Sequence, residues 1–187
     1  MTTIITLTGA GGGHGTSTIA AVFALHLAQH RPVRLITSDP EAMRSLIGPA
    51  TIDNLTVSPD DTPGNAGVIV VDNSRITTTV NQPPGWLAVL RGPCYVGMKR
   101  LLNASGCPPA GIVLLVEPRR ALNAYDVTQA LGVPVVATLD VTPSIARTID
   151  AGLLASRAIS LPAFALIRQL ANQLTLTSQT VFSERAA

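Results

Sequence analysis

Apolar positions along this chain keep switching between two periods, and that alternation is its strongest structural signal. Ile4–Thr8 is a short β-branched run that ends at Gly9. From about Ser17 to Gln29 the pattern turns helical, with Ile19, Val22, Phe23 and Leu27 on one stripe. His30-Arg31-Pro32 stops that helix, because the residue before a proline is pushed out of helical geometry. Val33–Ile36 reads as a second strand. Gly67–Asp72 (GVIVVD) and Gly111–Val116 (GIVLLV) are apolar without alternation, as strands covered on both faces are. Trp86–Leu90 and Val133–Leu139 complete the strands. Helices are predicted over Tyr95–Leu102, over Ala121–Leu131 with Gly132 as its stop, over about Pro143–Ala155, and over Pro162–Leu174.

Strands separated by helical segments imply βαβ units, and therefore an α/β fold: a doubly wound, mainly parallel sheet with helices on both faces. Two stretches break the rhythm. Asp53–Asn65 reads as a loop or a small hairpin around Leu55–Val57, and Arg75–Gly85 is a second irregular region ending near Pro83-Pro84. No repeat or linker divides the chain, so residues 1–177 are expected to form one domain and the polar 178–187 a frayed tail.

Composition trims the alternatives. At 187 residues and 47% hydrophobic, the chain can bury a core of its own and is too apolar for disorder. No segment reaches the roughly 20 apolar residues that span a bilayer, and the start (MTTIITLTGA) lacks the basic opening of a signal peptide. A cytoplasmic protein is expected. Thirteen basic against eleven acidic residues give +2, far from the dense basic face of a dedicated DNA-binding module. Cys94 and Cys107 have no metal-ligand spacing and read as free thiols, and His14, His26 and His30 likewise lack partners at ligand spacing.

The chemistry concentrates between the first strand and the first helix, where Gly9–Thr18 reads GAGGGHGTST. Glycines there admit left-handed backbone angles, and main-chain N–H groups at a helix N-terminus make an anion site. The dinucleotide spacing G-x-G-x-x-G fails, because His14 occupies its third glycine. The phosphate-loop spacing G-x-x-x-x-G-K-[ST] fits at Gly15 and Ser17 but has Ala10 for the first glycine and Thr16 for the lysine.

This loop resembles the deviant Walker A motif of the ParA/MinD (SIMIBI-class) P-loop ATPases, K-G-G-x-G-K-[ST]-[ST]. Gly12, Gly13, Gly15, Ser17 and Thr18 agree with it, His14 takes the variable position, and the two lysines fall on Gly11 and Thr16. VRLITSDPEA resembles the family's second strand with its D-x-D-P-Q ending, Thr37 replacing the first aspartate while Asp39 and Pro40 are kept. GVIVVDNS resembles the Walker B strand, with Asp72 in the metal-associated position. LRGPCYVGMKRLL and IARTIDAGLL resemble segments of small ParA-like proteins of high-GC bacteria, and the arginine-rich composition agrees with such a genome.

The resemblance implies that Gly11–Thr18 cradle the phosphates of ATP or ADP, that Ser17 and Asp72 hold Mg²⁺, and that Asp39 orients the attacking water. It implies a homodimer or higher assembly in DNA segregation or cargo positioning, working with a ParB-like adaptor and with non-specific DNA. Lys99 is the chain's one lysine, so the loop lacks both family lysines and hydrolysis is expected to be slow or absent. Arg75, Arg91 and Arg119, near strand ends, are the arginines that could compensate. The alternative is a pseudo-ATPase scaffold that assembles without nucleotide. Lys99, Arg100, Arg147, Arg157 and Arg168 are the DNA-facing candidates. The closing helix sets Phe164, Ile167, Leu170, Ala171 and Leu174 on one face, with Arg168 alone as a cation opposite; that is a core-packing pattern rather than a membrane-surface one.

Overall fold

The computed structural model describes residues 2–59, 66–73 and 82–183, with side chains to residue 176. Seven parallel strands form one sheet: β1 (Thr3–Gly9), β2 (Val33–Thr37), β3 (Leu55–Ser58), β4 (Val68–Asn73), β5 (Leu87–Arg91), β6 (Gly111–Val116) and β7 (Val135–Asp140), in the order β3-β2-β4-β1-β5-β6-β7. The winding reverses at β1, so the ends of β1, β2 and β4 open on a common crevice, where ligands sit in sheets of this kind. Register aligns Thr37 of β2 and Leu7 of β1 with Asp72 of β4.

The helices are α1 (Thr16–Leu27), α2 (Pro40–Ile47), α3 (Tyr95–Leu102), α4 (Ala124–Leu131), α5 (Pro143–Asp150), α6 (Leu154–Arg157) and α7 (Ala165–Ser183). Alternate side chains of the strands feed two cores. Leu7, Val70, Val89, Val113 and Leu115 pack with α1, α6 and α7, whereas Ala88, Leu90, Ile112 and Leu114 pack with α3, α4 and the fully buried Trp86. Trp86 satisfies its indole N–H on the Cys107 carbonyl at 2.7 Å. Both cysteines are free thiols.

Several elements depart from expectation. Leu55–Ser58 is no hairpin; it is an edge strand that pairs parallel to β2, from Val33↔Leu55 to Ile36↔Ser58. Helix α2, unforeseen, is started by the Asp39 side chain accepting from the Ala42 N–H and by Pro40 in its first turn. The helix expected over Pro143–Ala155 breaks in two at Gly152, whose φ of 61° is left-handed. The helix expected from Pro162 begins as a 3-10 turn over Pro162–Phe164, and α7 then runs on to Ser183. Helix α4 starts at Ala124, three residues late, because Asn123 and Asp126 build a capping box there.

The core reading of the closing helix holds: Phe164, Ile167, Leu170 and Ala171 are buried in the α1 layer. Arg168 is not a solvated cation, however. Its Nη1 donates to the carbonyls of Ala158 and Leu161, each at 2.9 Å, tying α7 to the segment before it. No helix among the described residues is long and apolar enough to cross a membrane.

Candidate functional site

Strand β1 delivers the chain into the glycine loop, and Ala10 is still held to the sheet by its N–H on the Val89 carbonyl at 2.9 Å. Gly13 (φ 76°) and Gly15 (φ 81°) take left-handed angles that turn the loop into α1. At Gly15 glycine is needed twice over, since a Cβ there would stand 2.6 Å from Leu115 Cδ2. Over Gly12 and Gly13 a Cβ would meet nothing within 4 Å, so the loop's mouth is open.

Gly15 is the N-cap of α1, with no side-chain cap, and the Ile19 N–H on the Gly15 carbonyl at 3.0 Å opens the helical ladder. Ser17 therefore lies inside the first turn and is not the ordinary N-cap its residue type suggests. The N–H groups of Thr16, Ser17 and Thr18 precede the ladder and are directed out of the helix start. Thr16, at the position of one missing lysine, is buried, and its Oγ1 has no hydrogen-bond partner.

Asp72, at the end of β4, is 5% exposed. One carboxylate oxygen accepts from the Thr37 hydroxyl at 3.3 Å, while Oδ1 is buried with no hydrogen-bond partner. Burial pushes this carboxyl above its ordinary value of 3.8, against the opposing pull of the Ser17 and Thr37 hydroxyls. Thr37 thus gives Asp72 a donor where an aspartate would have set a second negative charge beside it. Thr37 also accepts from the Asp39 N–H at 3.4 Å. Asp39 itself is exposed, with Oδ1 committed to the cap of α2.

A cationic cluster forms the opposite wall. Nδ1 of the half-buried His14 accepts from the Arg91 N–H at 3.0 Å, and Arg91 Nη1 reaches the Gly13 carbonyl at 3.5 Å. Arg91 Nε pairs with Glu117 at 2.9 Å, and Glu117 also takes the Arg120 guanidinium. These hydrogen bonds, with Arg120 foremost, hold the Glu117 carboxyl below its ordinary range. Desolvation first, then Arg100 and Arg91, push His14 down. Arg100, on α3, brings Nη1 to 2.5 Å from the point where a Gly11 Cβ would stand, and His14 Nε2 lies 3.1 Å from the same point.

Of the residues singled out by sequence, Ser17 and Asp72 come together, and Asp39 is joined to Asp72 only through Thr37, its own side chain turned to the cap of α2. Of the arginines nominated to compensate for the lysines, Arg91 touches the loop. Arg119 sits at a left-handed φ of 65° with no hydrogen bond or ion pair among the described residues, and Arg75 lies outside them. The sequence reading named His14 only as part of the loop and Arg100 only as a DNA-facing candidate, and it did not single out Glu117. The available signal was Gly97, a small residue inside α3 whose Cβ would crowd Leu90 Cδ1 at 2.7 Å and His14 Cε1 at 3.2 Å.

The site is a fit for phosphate and a hard divalent cation. Buried oxygens without partners stand at Thr16 and Asp72, the loop is open above Gly12 and Gly13, and Mg²⁺ is commonly held by one or two carboxylates through its waters. No group of three or more His, Cys, Asp or Glu that could hold a metal ion occurs among the described residues.

No protein-family model matches the sequence, and no curated protein sequence does. Solved structures do match its fold. A ParA family ATPase from Chlorobium tepidum TLS superposes with a TM-score of 0.66 at 13% identity, covering 91% of this chain and 98% of the other. The septum site-determining protein MinD of Pyrococcus horikoshii OT3, complexed with Mg-ADP, gives 0.58 at 14% identity over 94% and 95%. MinD in the MinC:MinD cell division complex of Aquifex aeolicus gives 0.64 at 15% over 92% and 95%. The chain has a ParA/MinD-like P-loop NTPase fold.

Proposed function

We propose that this chain is a ParA-like protein of DNA segregation or cargo positioning, whose glycine loop binds ATP or ADP with Mg²⁺ and whose nucleotide state tunes its assembly. The observation that carries the reading is Asp72: a buried carboxylate with one oxygen unpartnered, beside Ser17 and Thr37 at the mouth of an open glycine loop. A carboxylate that folding leaves so poorly satisfied fits a place reserved for a ligand.

In this reading the N–H groups of the loop and of the first turn of α1 bind the phosphates. Ser17 and Asp72 hold Mg²⁺, which supplies charge neutralisation on the phosphate oxygens. Asp39 is the residue for orienting water. No lysine stands in the loop, so the electrostatic stabilisation of phosphoryl transfer is weakened and hydrolysis is slow or absent. Assembly is a homodimer or higher form. Adaptor and DNA contacts remain with surfaces such as Arg147 and Arg157, which are exposed. The fold shared with ParA and MinD proteins, one of them described with Mg-ADP and one with a protein partner, supports the same reading.

The specific observation that favours the alternative, a nucleotide-independent scaffold, is the replacement of both lysines by Gly11 and Thr16. Calorimetric titration with Mg-ATP and Mg-ADP, paired with light scattering of the eluting species, separates the two. Micromolar binding that Asp72→Ala abolishes, with a larger assembly in one nucleotide state, is the expected result. A folded protein that takes up neither nucleotide, and assembles equally without them, would establish the scaffold instead.

A further inference from the structure

Three glycines in a row leave Gly11–Gly13 without side chains, so any charge that meets a ligand there has to arrive from elsewhere in the fold. Helix α3 brings one. Gly97 lets α3 close on Leu90 and His14, and Arg100 lies one turn further along the same helix face, at i+3. From there its guanidinium reaches the backbone of Gly11, where a side chain of any size would displace it. Among the described residues no carboxylate pairs with Arg100, unlike Arg91 and Arg120, which share Glu117.

His14 adds a second donor. Its Nδ1 accepts from the Arg91 N–H, so the neutral ring carries its proton on Nε2, close to the same point over Gly11. The guanidinium, this N–H and the partnerless hydroxyl of Thr16 all border the open loop.

We infer that Arg100, with His14 Nε2, forms an anion-binding arm over the glycine loop, delivered from α3, and that its ligand is the phosphate chain of the bound nucleotide. This rests on the nucleotide-binding reading above and names the residue that takes over the charge the loop itself lacks. A planar guanidinium suits the task, because it grips phosphate oxygens with two parallel donors and never loses its charge.

Lys99 supplies the internal control. It neighbours Arg100 in sequence and carries the same charge, but its ammonium lies over the Tyr95 ring, 5.9 Å from the centroid. The experiment is titration of wild type, Arg100→Ala and Lys99→Ala with Mg-ATP and with inorganic tripolyphosphate, the folded state of each being checked by circular dichroism. Loss of a charge-assisted hydrogen bond weakens binding about ten-fold or more. That loss is expected for Arg100→Ala with both probes, while Lys99→Ala binds as wild type does and Arg100→Lys recovers part of the affinity.

Equal binding by wild type and Arg100→Ala would overturn the inference while leaving the nucleotide reading intact. An equal loss in Arg100→Ala and Lys99→Ala would overturn it too, since general surface charge would then account for the effect. A wild type that takes up neither probe would overturn both readings together.

Discussion

Replacing Asp72 by asparagine should make this protein more stable and, at the same time, deaf to Mg²⁺. The carboxylate is 5% exposed, has one weak hydrogen bond at 3.3 Å from Thr37, and leaves Oδ1 unpartnered. A buried polar atom left unsatisfied costs about 1–3 kcal/mol. In Asp72→Asn the amide oxygen keeps the Thr37 bond, and its NH₂ can donate to the Ser17 hydroxyl, which accepts as readily as it donates. Recovering most of the lower half of that range, about 1–2 kcal/mol, corresponds to a rise in Tm of about 2–8 °C for a chain of this size.

The pH dependence gives the sharper test. Burial raises the folded-state pKa of Asp72 above 3.8, so folded protein holds this proton more tightly than unfolded chain does. Wild type therefore loses stability as pH rises from 3.8 through the raised folded value, and the penalty is fully present above that value. The advantage of Asp72→Asn should be widest above that window and shrink as pH falls through it. Thermal melts of both proteins across this range, with and without Mg-ATP, read the result. Saturating Mg-ATP should raise the Tm of wild type and leave the variant where it was. A variant no more stable than wild type above that window, or a gap that ignores pH, would refute the reasoning.

Gly15→Ala should destabilise the domain by about 1–2 kcal/mol from the left-handed backbone alone, with the approach of Leu115 at 2.6 Å adding to it; urea denaturation measures the loss, and an unchanged midpoint would mean that the loop is free to rearrange. Asp39→Ala should cost about 0.5–2 kcal/mol through the lost cap of α2, whatever the residue does to water. Any fall in hydrolysis should therefore be compared with Asp39→Asn, which keeps a capping oxygen, and a melt of Asp39→Ala that matches wild type would contradict the capping role.

The sheet was legible because its central strands are apolar on both faces: β4 and β6 announce themselves as GVIVVD and GIVLLV. Helix α3 was found at its true ends, Tyr95 and Leu102. Helix α2 was missed because only Met43 and Ile47 are buried in it, too few to print a stripe, although Asp39-Pro40 is a start signal of known mechanism. β3 was missed for a different reason. It is a four-residue edge strand whose partner, β2, precedes it by a whole helix, and parallel pairing at such distance leaves no local turn to read. The glycine loop and Asp72 could be placed from motif spacing. The arm formed by Arg100 could not, because what brings it to Gly11 is the packing of α3 on β5, and the sequence marks that with nothing but one helical glycine.

Helix α1 buries ten of its twelve residues, from Thr16 in its first turn to Leu27 at its end, so that it runs through the middle of the larger core. A phosphate site mounted on such a helix has no hinge of its own: the groups that would meet the ligand and the groups that keep the domain folded belong to one cooperative unit. Ligand at a hundred times its dissociation constant adds about 2.7 kcal/mol to whatever opening exposes the site. Here that opening is the unfolding of the core itself. Occupancy of the loop should therefore be written into the slowest-exchanging amides of the molecule, those of α1, rather than into the loops around the crevice.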